Sequence, residues 1–554
     1  MSGALKGLRQ IGEIADPRNA KRLFDAGALD ARSPLALARS LPWLIGRGPS
    51  LGVLTQMHAF AMGDKAALHD RHGTLTWKEL DDRANQAAHA LSRSGVRAGD
   101  TVALLLRNGR EMAELILGAG KLGIVASPMN TWAKPKELKV TLEGAHPALL
   151  VYDTQHAEQV AAAAPEGLAL LFVGDGGDLV RDATSYEALL AGQPASPPPP
   201  FTRNRGSARV VIHTSGTTGT PKGAERDSSA AGVGALANLL AVVPYRRDDI
   251  VFCPAPMFHS FGLATFTFAS ALGATMVLPE KFDPQESLSL IESHRATAAS
   301  FVPVMIRRIV SLGEEVTSRY DLSSLRIVLA SGSVLSEDLR RSATRIFGDV
   351  LYDLYGSTEI GWAAIATPED LTSHPKSVGK PVRGIDIAVF SPSGDRLAPG
   401  KTGELYVKSN ILFEGYTSGE SKDERDGYMS IGDLGKLDRD GYLYVESRSD
   451  DMVVVGGENV YPIEVEQVIE DIDGVDEVAV LGVDDDEYGQ VLAAFIVGSV
   501  SEEDVAGACK RELASFKVPR RIEIRDELPR TSTGKVIKRE LTADLPGVAP
   551  LDES

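Results

Sequence analysis

The chain has 554 residues, 43% of them hydrophobic and 24% charged. That is an ordinary globular balance over roughly three to five domain lengths of ~100–200 residues, and it excludes disordered and fibrous classes. The 58 Lys and Arg face 76 Asp and Glu, a formal charge of -18, so no nucleic acid is expected as a partner, because a phosphate backbone needs a broad basic footprint. Cys253 and Cys509 are the only cysteines, which excludes a disulfide framework and a cysteine-rich zinc site and fits a reducing, cytoplasmic setting.

From the N-terminus, MSGALKGLRQIGE lacks the apolar core and cleavage site of a secretory signal, and no uncharged apolar run reaches the ~18 residues of a spanning helix. Residues 1–48 are locally basic. Lys6, Arg9, Arg18, Lys21, Arg22, Arg32, Arg39 and Arg47 face only Glu13, Asp16, Asp25 and Asp30. The segment reads foremost as a helical extension packed on its own protein, and secondarily, with Leu41, Trp43, Leu44 and Ile45 nearby, as a peripheral membrane contact.

The body alternates strand and helix patterns. TVALLLRN (101–108) reads as a buried strand, GREMAELILGAGKLG (109–123) has helical spacing, and IVASPMN (124–130) is apolar again. This rhythm predicts parallel sheets covered by helices. Pro197 to Pro200 form a stiff connector. RVVIHTSGTTGTPKG (209–223) then passes from a buried strand into a loop rich in Gly, Ser and Thr. Later, GDRLAPGKTGELYVKS and LDRDGYLYVESRSDD carry turn signals between short alternating strands, so an antiparallel sheet is expected there. Near the end, Lys510, Arg511, Lys517, Arg520, Arg521, Arg525, Arg530, Lys535, Lys538 and Arg539 face only Glu512, Glu523, Asp526 and Glu527. Such a stretch reads as a solvated surface or, less directly, as a face for a phosphorylated ligand.

The sharpest local feature is Thr214-Ser215-Gly216-Thr217-Thr218-Gly219-Thr220-Pro221-Lys222-Gly223. Its glycines let the backbone turn N–H groups inward, and its hydroxyls and lysine add donors, so a polyphosphate is the natural ligand. It is not a Walker loop, since Pro221 precedes Lys222 and no Ser or Thr follows. A flexible linker is a poor alternative directly after a buried Val-Val-Ile strand.

TSGTTGTPKG resembles the phosphate loop of the adenylate-forming superfamily: acyl-CoA synthetases, peptide-synthetase adenylation domains and luciferases. Further motifs follow in the same order: YGSTE (355–359), IGDLGKLDRDGYLY (431–444), SRSDDMVVVGGENVYPIEVE (447–466) and PRTSTGKVIKREL (529–541), with LTWKELDDRANQAAHAL upstream. The resemblance implies an α/β fold with a large N-terminal domain of helix-flanked sheets, a β-barrel-like subdomain and a small mobile α+β C-terminal domain. The implied divisions are an extension at 1–48, an AMP-binding adenylation domain at 49–449 and a mobile domain at 450–554, with the hinge at Asp450.

By that likeness Thr214, Ser215, Gly216, Thr217, Thr218, Gly219 and Lys222 cradle the ATP phosphates. Tyr355 and Gly356 lie along the adenine, Asp353 meets its amino group, Thr358 bonds phosphate and Glu359 holds Mg²⁺, as an anionic oxygen ligand suits a hard cation. Asp433 accepts both ribose hydroxyls, a task for which a carboxylate is fitted, and Arg448 joins it. Lys535 reaches the reacting carboxylate and the α-phosphate, where a fixed cation offsets developing charge. Gly456, Gly457 and Glu458 face the incoming CoA thiol. His259, in Pro256-Met257-Phe258-His259, borders the carboxylate end of the acid, and VPVMIRRI (302–309), Gly332 in LASGS (329–333) and Trp362 supply further acyl walls.

Their apolar character favours a hydrocarbon chain over an amino acid. The resemblance therefore implies an acid–thiol ligase using ATP, Mg²⁺ and coenzyme A to convert a fatty or similar acid to acyl-CoA. Rival readings are an acyl-AMP ligase that loads an acyl carrier protein, a luciferase-like oxygenase, and a catalytically silent acyl-binding protein. The chain departs from the usual pattern in the loop read after Lys222 (residues 223–227, GAERD), at LASGSVLS (329–336), and at Ser447, where glycine commonly precedes the arginine.

Overall fold

In the computed structural model of the chain, the described residues are 17–27, 50–175, 180, 182–199, 209–215, 221–227, 232–357, 360–409, 423–448, 453–455, 458–460, 462–485, 489–513, 515–530 and 536–542. They divide into two compact units. The first runs to Glu369 and takes in Val382–Gly384; the second comprises Asp370–Pro381, Ile385–Ser409 and the chain beyond 422.

The first unit is built on two sheets. One is seven-stranded, in the order Thr184–Ser185, Ala169–Val173, Leu149–Asp153, Thr101–Leu105, Val125–Pro128, Arg209–Ser215, Pro221–Asp227. Its strands are parallel except for the closing hairpin. The expected strand–helix–strand unit is present as Thr101–Leu105, the helix Arg110–Leu122 and Val125–Pro128. These strands are buried on both faces, as helix-covered parallel strands must be. The helix Trp77–Arg93 starts on a full capping box, Thr76 with Glu79, and turns its apolar face inward. Gln193, Ala195 and Ser196 offer backbone carbonyls to Gln86, Asn85 and His89 of that helix, so the chain is docked where it approaches the proline run.

Within the first unit, the strands of the second sheet run in the order Gly361–Ala366, Leu351–Ser357, Ile327–Ser331, Ala298–Phe301, Ile250–Phe252, Thr275–Val277, Ala66–Asp70, Gly73–Thr76. Its interior is parallel, while Leu351–Ser357 pairs antiparallel with Gly361–Ala366 and Ala66–Asp70 with Gly73–Thr76. Four neighbouring strands, from Ile250–Phe252 to Leu351–Ser357, therefore release their carboxyl ends along one edge. In open α/β sheets that edge is where ligands bind.

The N-terminal segment answers in part the two readings made of it. The helix Pro17–Asp25 buries Leu23, and Ala26 just beyond it, while the Arg247 N–H donates to Ala26 O at 2.8 Å. This helix is packed on its own protein; residues 1–16 and 28–49 lie outside the described residues.

The second unit carries an antiparallel sheet of Ile385–Phe390, Gly403–Ser409, Tyr428–Leu437, Glu424–Arg425 and Leu443–Arg448, as the turn signals predicted. A further sheet of Glu458–Val460, Val453–Val455, Gly489–Gly498, Val475–Asp485 and Arg521–Ile524 follows. The helices Pro462–Glu470 and Glu502–Glu512 cover it through Val465, Ile469, Val505 and Cys509. The expected class, parallel helix-flanked sheets followed by an antiparallel barrel-like sheet and a small α+β domain, is the observed one. Of the basic C-terminal residues, Lys517 pairs with Glu464, Arg525 with Glu523 and Arg530 with Glu477.

Candidate active site

The phosphate-loop sequence is the connection of a hairpin. In the ladder between Arg209–Ser215 and Pro221–Asp227, Thr214 lies opposite Lys222 and Ser215 opposite Pro221. The turn itself, with Gly216, Thr217, Thr218 and Gly219, is outside the described residues. Residues 223–227, read from sequence as a loop, are instead the edge strand of the sheet. Gly-Ala-Glu-Arg-Asp has little strand propensity, and the backbone ladder with Arg209–Ser215 supplies the pairing that the side chains do not advertise.

At the carboxyl edge of the second sheet, the structure brings several expected residues onto adjacent strands. Leu351–Ser357 carries Asp353 and Tyr355 at alternate positions and then Gly356. Asp353 is buried between Ala330 on one neighbour and Ala366 on the other. Burial pushes its carboxyl up from 3.8 to about 7, against the pull of the Arg340 charge. Arg340, on the helix Glu337–Phe347, is itself buried, and burial pushes its guanidinium down. Sequence reading passed over Arg340. The available signal was an arginine beside Leu339 on the face that also holds Ala343 and Phe347.

Gly356 stands opposite Trp362 at a register shift. A Cβ there would collide with the Gly361 carbonyl, whose carbon is 2.9 Å away. The next strand, Ile327–Ser331, is tied to this one by the Ser331 hydroxyl donating to Leu354 O at 2.8 Å. It is followed by Gly332, which has a φ of +101°, backbone that favours glycine. A Cβ on Gly332 would sit 3.3 Å from Val302 Cγ1, so the two segments expected to wall the acid do adjoin. After Ile250–Phe252 the chain turns through residues 253–259. His259 caps the helix Ser260–Leu272 through its extended backbone, and its N–H donates to Pro256 O at 3.0 Å. The His259 ring packs on Phe258 at 4.2 Å between centroids, and Trp132 approaches both, edge-on to Phe258 at 5.1 Å and 6.2 Å from His259.

In the second unit, Asp433 is buried on Tyr428–Leu437 and pairs in register with Arg448. It follows Gly432, whose φ of +79° is a left-handed turn within the strand. Glu458 opens the strand Glu458–Val460 opposite Val455. Thr358, Glu359, Asp450, Gly456, Gly457 and Lys535 are outside the described residues. Among the described residues, no cluster of His, Cys, Asp and Glu is arranged to hold a metal ion, and no helix is long and apolar enough to cross a membrane.

Comparison with known proteins agrees with this architecture. Residues 56–417 match the model of the AMP-binding enzymes, and residues 464–535 match that of the AMP-binding enzyme C-terminal domain. The chain belongs to the AMP-binding enzyme family. It is similar to a long-chain-fatty-acid–CoA ligase of Mycobacterium tuberculosis, 30% identical over 486 residues that cover 86% of this chain and 94% of the relative. It is also similar to a feruloyl-CoA synthase of an Amycolatopsis species, 32% identical over 484 residues, 85% of this chain and 94% of the relative. The crystal structure of an anthranilate CoA ligase in complex with anthranoyl-AMP superposes with a TM-score of 0.79 at 26% identity, covering 89% of this chain and 96% of that one. This AMP-binding enzyme is an adenylate-forming acid–thiol ligase of the acyl-CoA synthetase type. The acids named for these relatives differ widely, so membership alone does not choose one.

Proposed function

We propose that this AMP-binding enzyme activates a fatty or similarly apolar carboxylic acid with ATP and passes the acyl group to coenzyme A. The carboxylate attacks the α-phosphorus of ATP, pyrophosphate leaves, and the CoA thiol then displaces AMP to give the thioester. The acid is already ionised at neutral pH, since carboxyl groups titrate near ~4. The first step therefore needs positioning and charge stabilisation rather than a general base.

In this reading Thr214, Ser215, Lys222 and the loop between them hold the phosphates with Thr358, and Lys535 lies at the carboxylate and α-phosphate. Asp353, Tyr355 and Gly356 receive the adenine, and Asp433 with Arg448 the ribose. Glu359 would hold Mg²⁺, which would supply positive charge against the ATP phosphates. The division at 449/450, with Asp450 as hinge, lets the C-terminal domain present Lys535 for the first step and Gly456, Gly457 and Glu458 for the second.

The observation that carries the choice of acid is the make-up of the carboxyl edge. Met257 and Phe258 in the turn after one strand, Phe301 at the end of the next and Met305 on the helix that follows it, and Ile360 and Ala363 beyond Tyr355 are all buried and apolar. An apolar lining favours a hydrocarbon chain. The similar M. tuberculosis relative, named for long-chain fatty acids, supports the same choice.

The test is a series of straight-chain acids from acetate to palmitate, together with ferulate and anthranilate, each with MgATP and CoA and read as thioester formed. Fast turnover of the longer alkanoates supports the proposal; preference for an aryl acid overturns the choice of acid. Adenylate without thioester in the presence of CoA would move the acceptor to a carrier protein. Lys535→Ala is expected to abolish acid-dependent pyrophosphate release while leaving the thermal midpoint unchanged.

A further inference from the structure

Asn108 stands where the two sheets of the first unit meet. It follows the strand Thr101–Leu105 of the first sheet, is almost fully buried, and spends both ends of its carboxamide on the turn that leaves the second sheet. Its Nδ2 donates to Ala255 O at 3.0 Å, and its Oδ1 accepts from the Met257 N–H at 2.8 Å. A side-chain amide that satisfies a backbone acceptor and a backbone donor two residues apart acts as a short surrogate strand.

The anchor is itself fixed on both sides. The Arg107 N–H donates to Asp153 Oδ2 at 2.7 Å, and the Arg110 N–H to Asp70 Oδ2 at 2.9 Å, with the Arg110 guanidinium closing on the same carboxylate. Asp153 belongs to the first sheet and Asp70 to the second. The turn also packs closely on Gly262, where a Cβ would overlap Pro256 O and lie 2.6 Å from Ala255 O. Residues 255–257 are thus held by an amide fork and a glycine face. Phe258 and His259 follow directly and carry the ring contacts with Trp132.

We propose that Asn108 is a positioning residue for the acid: by fixing residues 255–257 it sets where Phe258 and His259 stand at the carboxyl edge. This rests on the reading that the 256–259 turn borders the acid's carboxylate. Asn108 touches no reacting atom in this account, so its effect is specific to the substrate that meets the turn.

The experiment measures pyrophosphate–ATP exchange, with dodecanoate or with whichever acid of the series above reacts fastest, in Asn108→Asp, Asn108→Ala and, as a control, His259→Ala. For Asn108→Ala the KM for the acid is expected to rise about tenfold, the scale of losing buried hydrogen bonds, with the KM for ATP within about twofold of the parent. In Asn108→Asp the new carboxylate opposes the Ala255 carbonyl at neutral pH, while its protonated form donates to it. The acid KM of that variant is therefore expected to recover toward the parent value as the pH is lowered to 6, a profile that simple loss of packing does not give. Gly262→Ala displaces the same turn through a different contact and is expected to raise the acid KM selectively as well. It decides the matter if Asn108→Ala does not fold.

Equal changes in both KM values, or an unchanged acid KM in the Asn108 variants while His259→Ala raises it, would overturn the positioning role. An acid KM unmoved by His259→Ala would instead sink the reading of the turn as the acid's border, and the proposal with it.

Discussion

Asp433 and Arg448 stand directly opposite each other in the antiparallel ladder between Tyr428–Leu437 and Leu443–Arg448. Fifteen residues of sequence separate two polar groups that the resemblance assigns to one sugar, and the hairpin closes that gap. The Gly432 N–H donates to the Ser430 hydroxyl at 3.1 Å, which helps hold the turn that presents Asp433. Asp433→Ala is expected to raise the KM for ATP by roughly 10–100-fold, the scale of losing hydrogen bonds to a charged acceptor worth ~1.5–3 kcal/mol. Asp433→Asn, which keeps one acceptor, falls between. A steady-state titration of ATP checks this, and a KM within twofold of the parent for the alanine variant would remove Asp433 from the nucleotide.

Asp353 gives a pH dependence with a definite sign. Its folded carboxyl is raised to about 7 from 3.8 by burial. Over that interval the folded protein holds the proton more tightly than the unfolded chain does. The contribution of this group to stability is therefore complete below pH ~4 and is lost as the pH rises through about 7. Asp353→Asn removes the titration. The stability of the variant minus that of the parent is expected to grow between pH 5 and pH 8, by an amount on the order of 2–4 kcal/mol. Urea unfolding of both proteins at the two pH values measures it; a difference that does not change with pH would refute a raised carboxyl.

Lys121 tests the framework of the first unit away from the site. Its ammonium is buried and donates to Asp81 Oδ1 at 2.5 Å and Asn85 Oδ1 at 2.6 Å, between the helices Arg110–Leu122 and Trp77–Arg93. Lys121→Met fills similar space but leaves the Asp81 carboxylate buried without its cation. A loss of about 3–5 kcal/mol is expected, since removing one partner of a buried pair costs more than the pair itself is worth. Both KM values should stay near the parent's at a temperature where the variant is folded. A loss below ~1 kcal/mol would mean that Asp81 finds another partner.

What the sequence disclosed was local or serial. TVALLLRN and the helix after it each announce themselves within one element. The order of motifs carried the fold and the chemistry. The sequence did not disclose which distant elements meet. Asn108 lies 147 positions from Ala255, and nothing in Arg-Asn-Gly says that its amide will grip a turn in another sheet. Nothing around Arg340 in the sequence says that its charge will act on Asp353 of a neighbouring strand. The strand Pro221–Asp227 was hidden for a different reason: its ladder depends on the backbone of its neighbour, not on its own side chains.

Gly356 separates steric need from glycine's flexibility. It lies between Tyr355 and Ser357 at the register shift, in backbone any residue adopts, so an alanine there meets a purely spatial objection: the Gly361 carbonyl. Relief requires the strand Gly361–Ala366 to retreat, carrying Trp362 with it, or Tyr355 to be displaced. Gly356→Ala is expected to lose about 1–3 kcal/mol of stability, the usual cost of overfilling packed structure, and at least tenfold in exchange rate, because both displaced residues stand at the carboxyl edge. Gly144→Ala is the matched control. That glycine sits in the helix Pro135–Ala145 with nothing within 4 Å of the added methyl. There the substitution should be neutral or stabilising by up to ~1 kcal/mol, through helix propensity and a less flexible unfolded chain. Thermal unfolding and the exchange assay on the two variants check the contrast. If both behave alike, the approach of Gly361 to Gly356 is not what fixes this end of the strand.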